Sequence, residues 1–135
     1  MKKFLTLALA LVLVIGCVAN ASALTIGFSQ VGQESDWRTA NTDNVCAAIE
    51  AEGWTLVYDD GQQKQENQIK ALRNFITQGV DYILFTGVVS TGWEEVLAEV
   101  NEAEIPLLLL DRIPDCADSV PNTVGDTIHQ VTAPG

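Results

Sequence analysis

Basic residues are scarce in this sequence, and so are histidine and cysteine. Its 135 residues hold 7 Lys and Arg against 18 Asp and Glu, a formal charge of −11, with one His and three Cys. A chain this acidic repels phosphate backbones and anionic lipid, which argues against nucleic acid and charged membranes as partners. His129 stands alone, and Cys17, Cys46 and Cys116 show no metal-ligand spacing. No histidine or cysteine is paired with a base as a nucleophile needs, and no glycine-rich loop is present to cradle phosphate. The sequence therefore predicts no metal, no cofactor and no catalytic group. Beyond Val18 no apolar run approaches the about 20 residues of a spanning helix.

What is present begins with an export signal. Met1-Lys2-Lys3 is a basic start, Phe4 to Val18 is almost wholly apolar, and Ala21-Ser22-Ala23 supplies small residues of the A-x-A type. Cleavage after Ala23 makes residues 1–23 a signal peptide and places the mature protein outside the cytoplasm. Val14-Ile15-Gly16-Cys17 also resembles a lipobox, which would anchor the chain through a lipid on Cys17. That alternative leaves little spacer before the first strand, so cleavage after Ala23 is the better fit. About 112 residues then remain, one small domain at most. Oxidising surroundings permit a Cys46–Cys116 disulfide, but Cys46 falls mid-helix, Cys116 falls in a loop, and nothing in the pattern brings them together.

Strand-like runs at Leu24–Ser29, Thr55–Tyr58, Tyr82–Thr86 and Leu107–Leu110 recur every 25 to 30 residues or so, with helical patterns between them. This is the βα repeat of an α/β fold with a parallel sheet and right-handed crossovers. The four leucines read as a strand buried on both faces. The first helix spans Asp36 to Glu52, with Ser35 as N-cap and Gly53 as stop. The second spans Gln65 to Gln78 and ends at Gly79, with Ile69, Leu72, Phe75 and Ile76 as its apolar stripe. The third starts near Gly92 and carries Val96, Leu97 and Val100. Asn122–Thr127 reads as a fifth strand, after which the periodic pattern stops. The expected division is a lobe over 24–127 and an irregular tail over 128–135.

Parallel sheets take ligands outside the carboxyl ends of their strands, and polar and aromatic residues collect there. Gln30 to Arg38 follows the first strand, Asp59 to Gln62 the second, Gly87 to Trp93 the third, and Asp111-Arg112 the fourth. A planar ring over the C–H face of a sugar, with Asp and Arg on its hydroxyls, is the mixture a carbohydrate site needs. Each residue also has a plainer role. Trp37 packs on a ligand or on the sheet. Glu34, Ser35 and Asp36 bind or serve as cap and first-turn acids. Asp111 caps a turn and Arg112 is a surface charge unless they face a ligand. Trp93 reads as helix packing, Trp54 as structural, and Gln62–Gln68 as a solvated helix start. Asp59-Asp60 lacks the third carboxylate of a metal or phosphoacceptor pocket.

Three strings go further: LTIGFSQVGQESDWRTA (Leu24–Ala40), DGQQKQENQIKALRNFITQGVD (Asp60–Asp81) and VVSTGWEEVLAEVNEAEIPLLLLDR (Val88–Arg112). They resemble the type 1 periplasmic sugar-binding proteins, the ribose-binding or LacI-like group, and within it the galactofuranose-binding subgroup. The resemblance implies a monomeric two-lobed protein that closes on one monosaccharide and delivers it to the permease and ATPase of an ABC importer. It implies no enzyme activity. It carries ligand-binding roles to Glu34, Ser35, Asp36, Trp37, Arg38, Asp111 and Arg112. Asp36 departs from the small residue expected there. The second lobe is missing from the strings, so the chain reads as an amino-terminal fragment. A periplasmic sugar sensor and a truncated, non-functional product are the alternative readings.

Overall fold

The computed structural model describes residues 23–119. Nearly all of the expected leader, the run Asn122–Thr127 read as a fifth strand and the expected tail 128–135 lie outside them. Strands and helices alternate: β1 (Thr25–Gln30), α1 (Asp36–Ala51), β2 (Thr55–Asp60), α2 (Gln65–Gln78), β3 (Tyr82–Phe85), α3 (Glu94–Glu102) and β4 (Leu107–Leu109). A short 3-10 turn follows at Ala117–Ser119. The strands form one parallel sheet in the order β2-β1-β3-β4.

The order carries a reversal. From β1 the chain steps outward to β2, then passes back across β1 to β3 and on to β4. Right-handed crossovers therefore put α1 on one face and both α2 and α3 on the other. Packing agrees with this. Phe75 of α2 lies on Gly27 of β1, where an added Cβ would come within 2.7 Å of its ring. Gly27 is in register with Ile83, and Ile83 with Leu107, so these residues share that face. Leu72, Phe75, Ile83, Phe85, Leu97 and Leu107 are wholly buried there. Trp93 joins them, edge-on to Phe85 at 4.9 Å between ring centroids. It packs the helix, as its position in the sequence suggested.

Local chemistry sets the ends. Ser35 is extended, and its hydroxyl accepts the Arg38 N–H at 3.1 Å, capping α1. Gly79 ends α2 in the left-handed conformation at φ 65°. Three differences from expectation are physical. β2 continues to Asp60, because Asp59 and Asp60 pair with Ser29 and Gln30 and the ladder overrides the low strand propensity of Asp. α3 starts at Glu94, because Gly92 takes φ 82°, outside helical space. The four-leucine run is covered on one face only: Leu107 and Leu109 are buried, while Leu108 and Leu110 are half-buried. Cys46 and Cys116 are not joined by a disulfide.

Candidate functional site

The reversal of strand order lies between β1 and β3. The loops leaving these neighbours diverge, one to each face, and open a crevice at their carboxyl ends. The loop after β2 packs alongside: an added Cβ at Gly32 would meet the Gln63 side chain at 3.2 Å.

Arg38 is the centre of this crevice. It lies on the inward side of the first turn of α1 and is 3% exposed. Its Nε donates to Glu34 Oε1 and its Nη2 to Asp111 Oδ2, both at 3.0 Å. Its Nη1 is buried and has no hydrogen-bond partner among the described residues. A guanidinium held on two edges with a third nitrogen unspent is a donor waiting for an acceptor.

Asp111 reaches Arg38 through an unusual turn. Its φ is 62°, and the Arg112 N–H donates to the Leu110 carbonyl at 2.6 Å. This is a γ-turn with positive φ at its centre, a strained form costing about 1–3 kcal/mol. The turn swings the carboxylate off the end of β4 and back toward α1. It also sends Arg112 the other way, where Nη1 donates to the Val88 carbonyl at 3.2 Å. Arg112 Nε remains 3.9 Å from Asp111 Oδ2.

Burial pushes the Glu34 carboxyl upward in pKa. Its own backbone amide and the Arg38 guanidinium outweigh that, with a smaller pull from Arg112, and hold it below the ordinary glutamate value. Glu34 is therefore ionised at neutral pH. The crevice then holds two carboxylates, Glu34 and Asp111, and two guanidinium groups, Arg38 and Arg112. The charges balance, which suits a neutral, hydroxyl-rich ligand better than an anion or a cation. Trp37 supplies the flat surface. It is 58% exposed rather than packed on the sheet, and the Arg38 guanidinium carbon lies 4.9 Å from its ring centroid.

Glu34, Trp37, Arg38, Asp111 and Arg112 thus come together as one cluster. Ser35 is spent on the helix cap. Asp36 is exposed in the first turn of α1, and its side chain has no hydrogen-bonding or ionic partner among the described residues. Asp59 stays outside the cluster. Burial and then its neighbour Asp60 push its carboxyl up, and its Oδ1 is buried without a partner. No group of three or more metal-ligating side chains occurs among the described residues.

Sequence reasoning missed three wholly buried polar residues beside the crevice. Gln30 donates to Asn41 Oδ1 and Thr42 Oγ1 on α1. Thr86 directly follows β3 and has an unpartnered hydroxyl. Gln68 is 0% exposed, so the Gln62–Gln68 run is not solvated to its end. A polar residue at the buried end of an apolar strand was the available signal for Gln30 and Thr86. Gln68 gave a weaker one, by falling on the same helical side as Ala71 and Leu72.

The comparisons with known proteins bear on the fold and the family. Over 101 residues the chain is 57% identical to the galactofuranose-binding protein YtfQ of Escherichia coli (strain K12), covering 75% of this chain and 32% of that protein. A Mycobacterium smegmatis structure in complex with β-D-fucofuranose superposes with a TM-score of 0.68 at 54% identity, covering 69% of this chain and 31% of that one. The periplasmic binding component of the arabinose ABC transporter from Shewanella sp. ANA-3, bound to α- and β-L-arabinofuranose, gives 0.66 at 53% identity, covering 67% and 30%. The chain spans about a third of the length of the curated relatives it matches. The family profile described as periplasmic binding protein domain matches residues 26–126, most of the 135, and the chain belongs to that family.

Proposed function

We propose that this chain forms the amino-terminal lobe of the solute-binding subunit of an ABC importer, which captures a monosaccharide in its furanose form in the periplasm. The observation that carries this is the unspent Nη1 of Arg38, buried at the switch crevice between two carboxylates that fix the rest of the guanidinium. A ring or hydroxyl oxygen satisfies it. The exposed Trp37 ring takes the apolar side of the sugar, and Asp111 and Glu34 accept from hydroxyls. The relatives named above are described with galactofuranose, fucofuranose and arabinofuranose, which share a five-membered ring. The role is binding and hand-over to permease and ATPase subunits, without chemistry on the sugar. Export by the leader, with Leu24 as the mature amino terminus, supplies the periplasmic location.

Heteronuclear NMR of the 135-residue chain tests the reading directly. One wall of a cleft binds weakly, with a Kd on the order of millimolar. L-arabinose and D-galactose, whose solutions contain furanose forms, should shift the Arg38 and Arg112 Nε signals, the Trp37 indole and the Asp111 amide. D-glucose 6-phosphate should not. Unmoved Arg38 and Trp37 signals at high sugar, or equal shifts with the sugar phosphate, would overturn the proposal.

A further inference from the structure

We infer that Gln68 is a positioning residue of this site: it fixes the loop after β3 and thereby sets where Arg112 points. The inference deepens the furanose-binding reading and rests on it for the identity of the ligand.

Gln68 lies near the start of α2, beneath the crevice. Its amide is wholly buried and every polar function is used. Nε2 donates to the Thr86 carbonyl at 2.8 Å and to Ser29 Oγ at 3.3 Å. Oε1 accepts the Val88 N–H at 3.0 Å. These bonds bridge β1 and β3 where their ladder runs out. The last register pair is Ser29 with Phe85, followed by one backbone bond from Thr86 N–H to the Ser29 carbonyl at 3.2 Å. Beyond that β1 and β3 part, and no ladder bond between them holds residues 87 and 88. The Gln68 side chain takes over that task.

Two further features make this more than a satisfied core amide. The side chain lies against the Gly61 backbone, where an added Cβ would meet its Cγ at 2.7 Å, so only a glycine there leaves it its place. Val88 also faces both ways. Gln68 holds its N–H, and its carbonyl accepts from Arg112 Nη1 at 3.2 Å. One residue thus links a buried amide to a guanidinium of the site, while the hydrogen bonds of the Gln68 side chain go to Ser29, Thr86 and Val88. Neighbouring carbonyls of the loop are also taken, Val89 by the Trp93 indole at 2.8 Å and Thr91 by Gln65 at 2.7 Å. The loop is a clamped platform, and Gln68 is its buried fastening. A site of this kind depends on placement within fractions of an ångström.

Gln68→Leu, Arg112→Ala and the double variant of the 135-residue chain test the inference. Without sugar, Gln68→Leu should speed amide exchange at Val88 and move the Arg112 Nε signal, while Leu72 and Phe75 amides keep their protection. With sugar, it should weaken binding roughly tenfold. In the Arg112→Ala background the same substitution should change affinity by less than about twofold, because its route is gone. Unchanged Val88 exchange and an unmoved Arg112 signal would overturn the inference, as would a tenfold loss that persists without Arg112. If Gln68→Leu fails to fold, Gln68→Glu keeps the shape, replaces the donor by a carboxylate, and is judged by the same readings. A wild-type chain that binds no sugar removes the furanose reading alone, since Val88 exchange and the Arg112 signal still decide the positioning role.

Discussion

On the face that carries α2 and α3, the sheet is closed. Phe75, Ile83, Phe85 and Leu107 are fully buried, and Leu72, Leu97 and Val100 lock over them. On the other face α1 covers β1 and β2, with Ile26 and Phe28 buried beneath it, and among the described residues the cover stops there. Beside it lies an apolar hollow of about 260 Å³ whose walls include Ile49, Trp54, Tyr82, Leu84 and Leu108. The strand sequences are apolar toward both faces alike. What differs is topology, because the reversal between β1 and β3 sends two of the three crossovers to one side. Hydrophobic pattern says which residues seek burial, and connection order says which of them find it among the described residues.

The largest effect belongs to the closed face. Phe75 is fully buried and its ring rests on the Gly27 backbone. Phe75→Ala should cost about 3–5 kcal/mol in chemical denaturation, most of the stability of a chain this small. Gly27→Ala should cost roughly 1–3 kcal/mol, because the new methyl meets ring atoms that cannot retreat. Gly27→Ala combined with Phe75→Leu should cost less than the two separate costs together, since the smaller side chain makes room for the methyl. Strict additivity would mean that Gly27 and Phe75 do not pack as described, and the contrast between the faces would weaken with it.

Much of this was legible in the sequence, for a local reason. Ser35 and Gly79 act within one turn of themselves, so cap and stop could be placed without the fold. The strand cores were visible because an apolar run must be buried somewhere. Strand order was not visible, since nothing within β1 states which neighbours it will pair with. The site divides in the same way. Arg38 and Asp111 were named from their places after strands, but their ion pair spans 73 residues of sequence and needs the positive φ of Asp111. Gln68 was misread because a glutamine among polar residues at a helix start looks solvated. Only the post-β3 loop above it makes its burial worthwhile.

The open face should tolerate what the closed face does not. Leu84 and Leu108 are half-buried and line the hollow. Leu84→Ala should cost about 1 kcal/mol or less, because much of its surface already meets water. The equivalent truncation at Leu109, 1% exposed on the closed side, should cost about 2–5 kcal/mol. A solvatochromic dye should bind the wild-type chain at the hollow and bind Leu84→Ser more weakly. Equal costs for Leu84→Ala and Leu109→Ala would show that the α1 side is as well closed as the other.

The smallest effect is electrostatic and again sets one side against the other. Glu34 precedes α1 and has a lowered pKa, since its own amide and Arg38 outweigh its burial. Its ionised form is favoured by folding, so its contribution is present above the ordinary glutamate pKa. It is lost as the pH falls through the lower folded value. The magnitude is about 0.5 kcal/mol, as for other partly exposed pairs. Asp59 faces the α2 side with Ser29 and has a raised pKa, first from burial and then from Asp60. Folding favours its protonated form, so its contribution is present at low pH and is lost as the pH rises through the folded value. Glu34→Gln should therefore destabilise the chain at neutral pH and have less effect in acid. Asp59→Asn should stabilise it at neutral pH, because an amide carries no charge to desolvate, and be near neutral in acid. Thermal melts of both variants across the acid range measure the two slopes. Slopes of the same sign would mean that one of these carboxylates does not sit in the surroundings described.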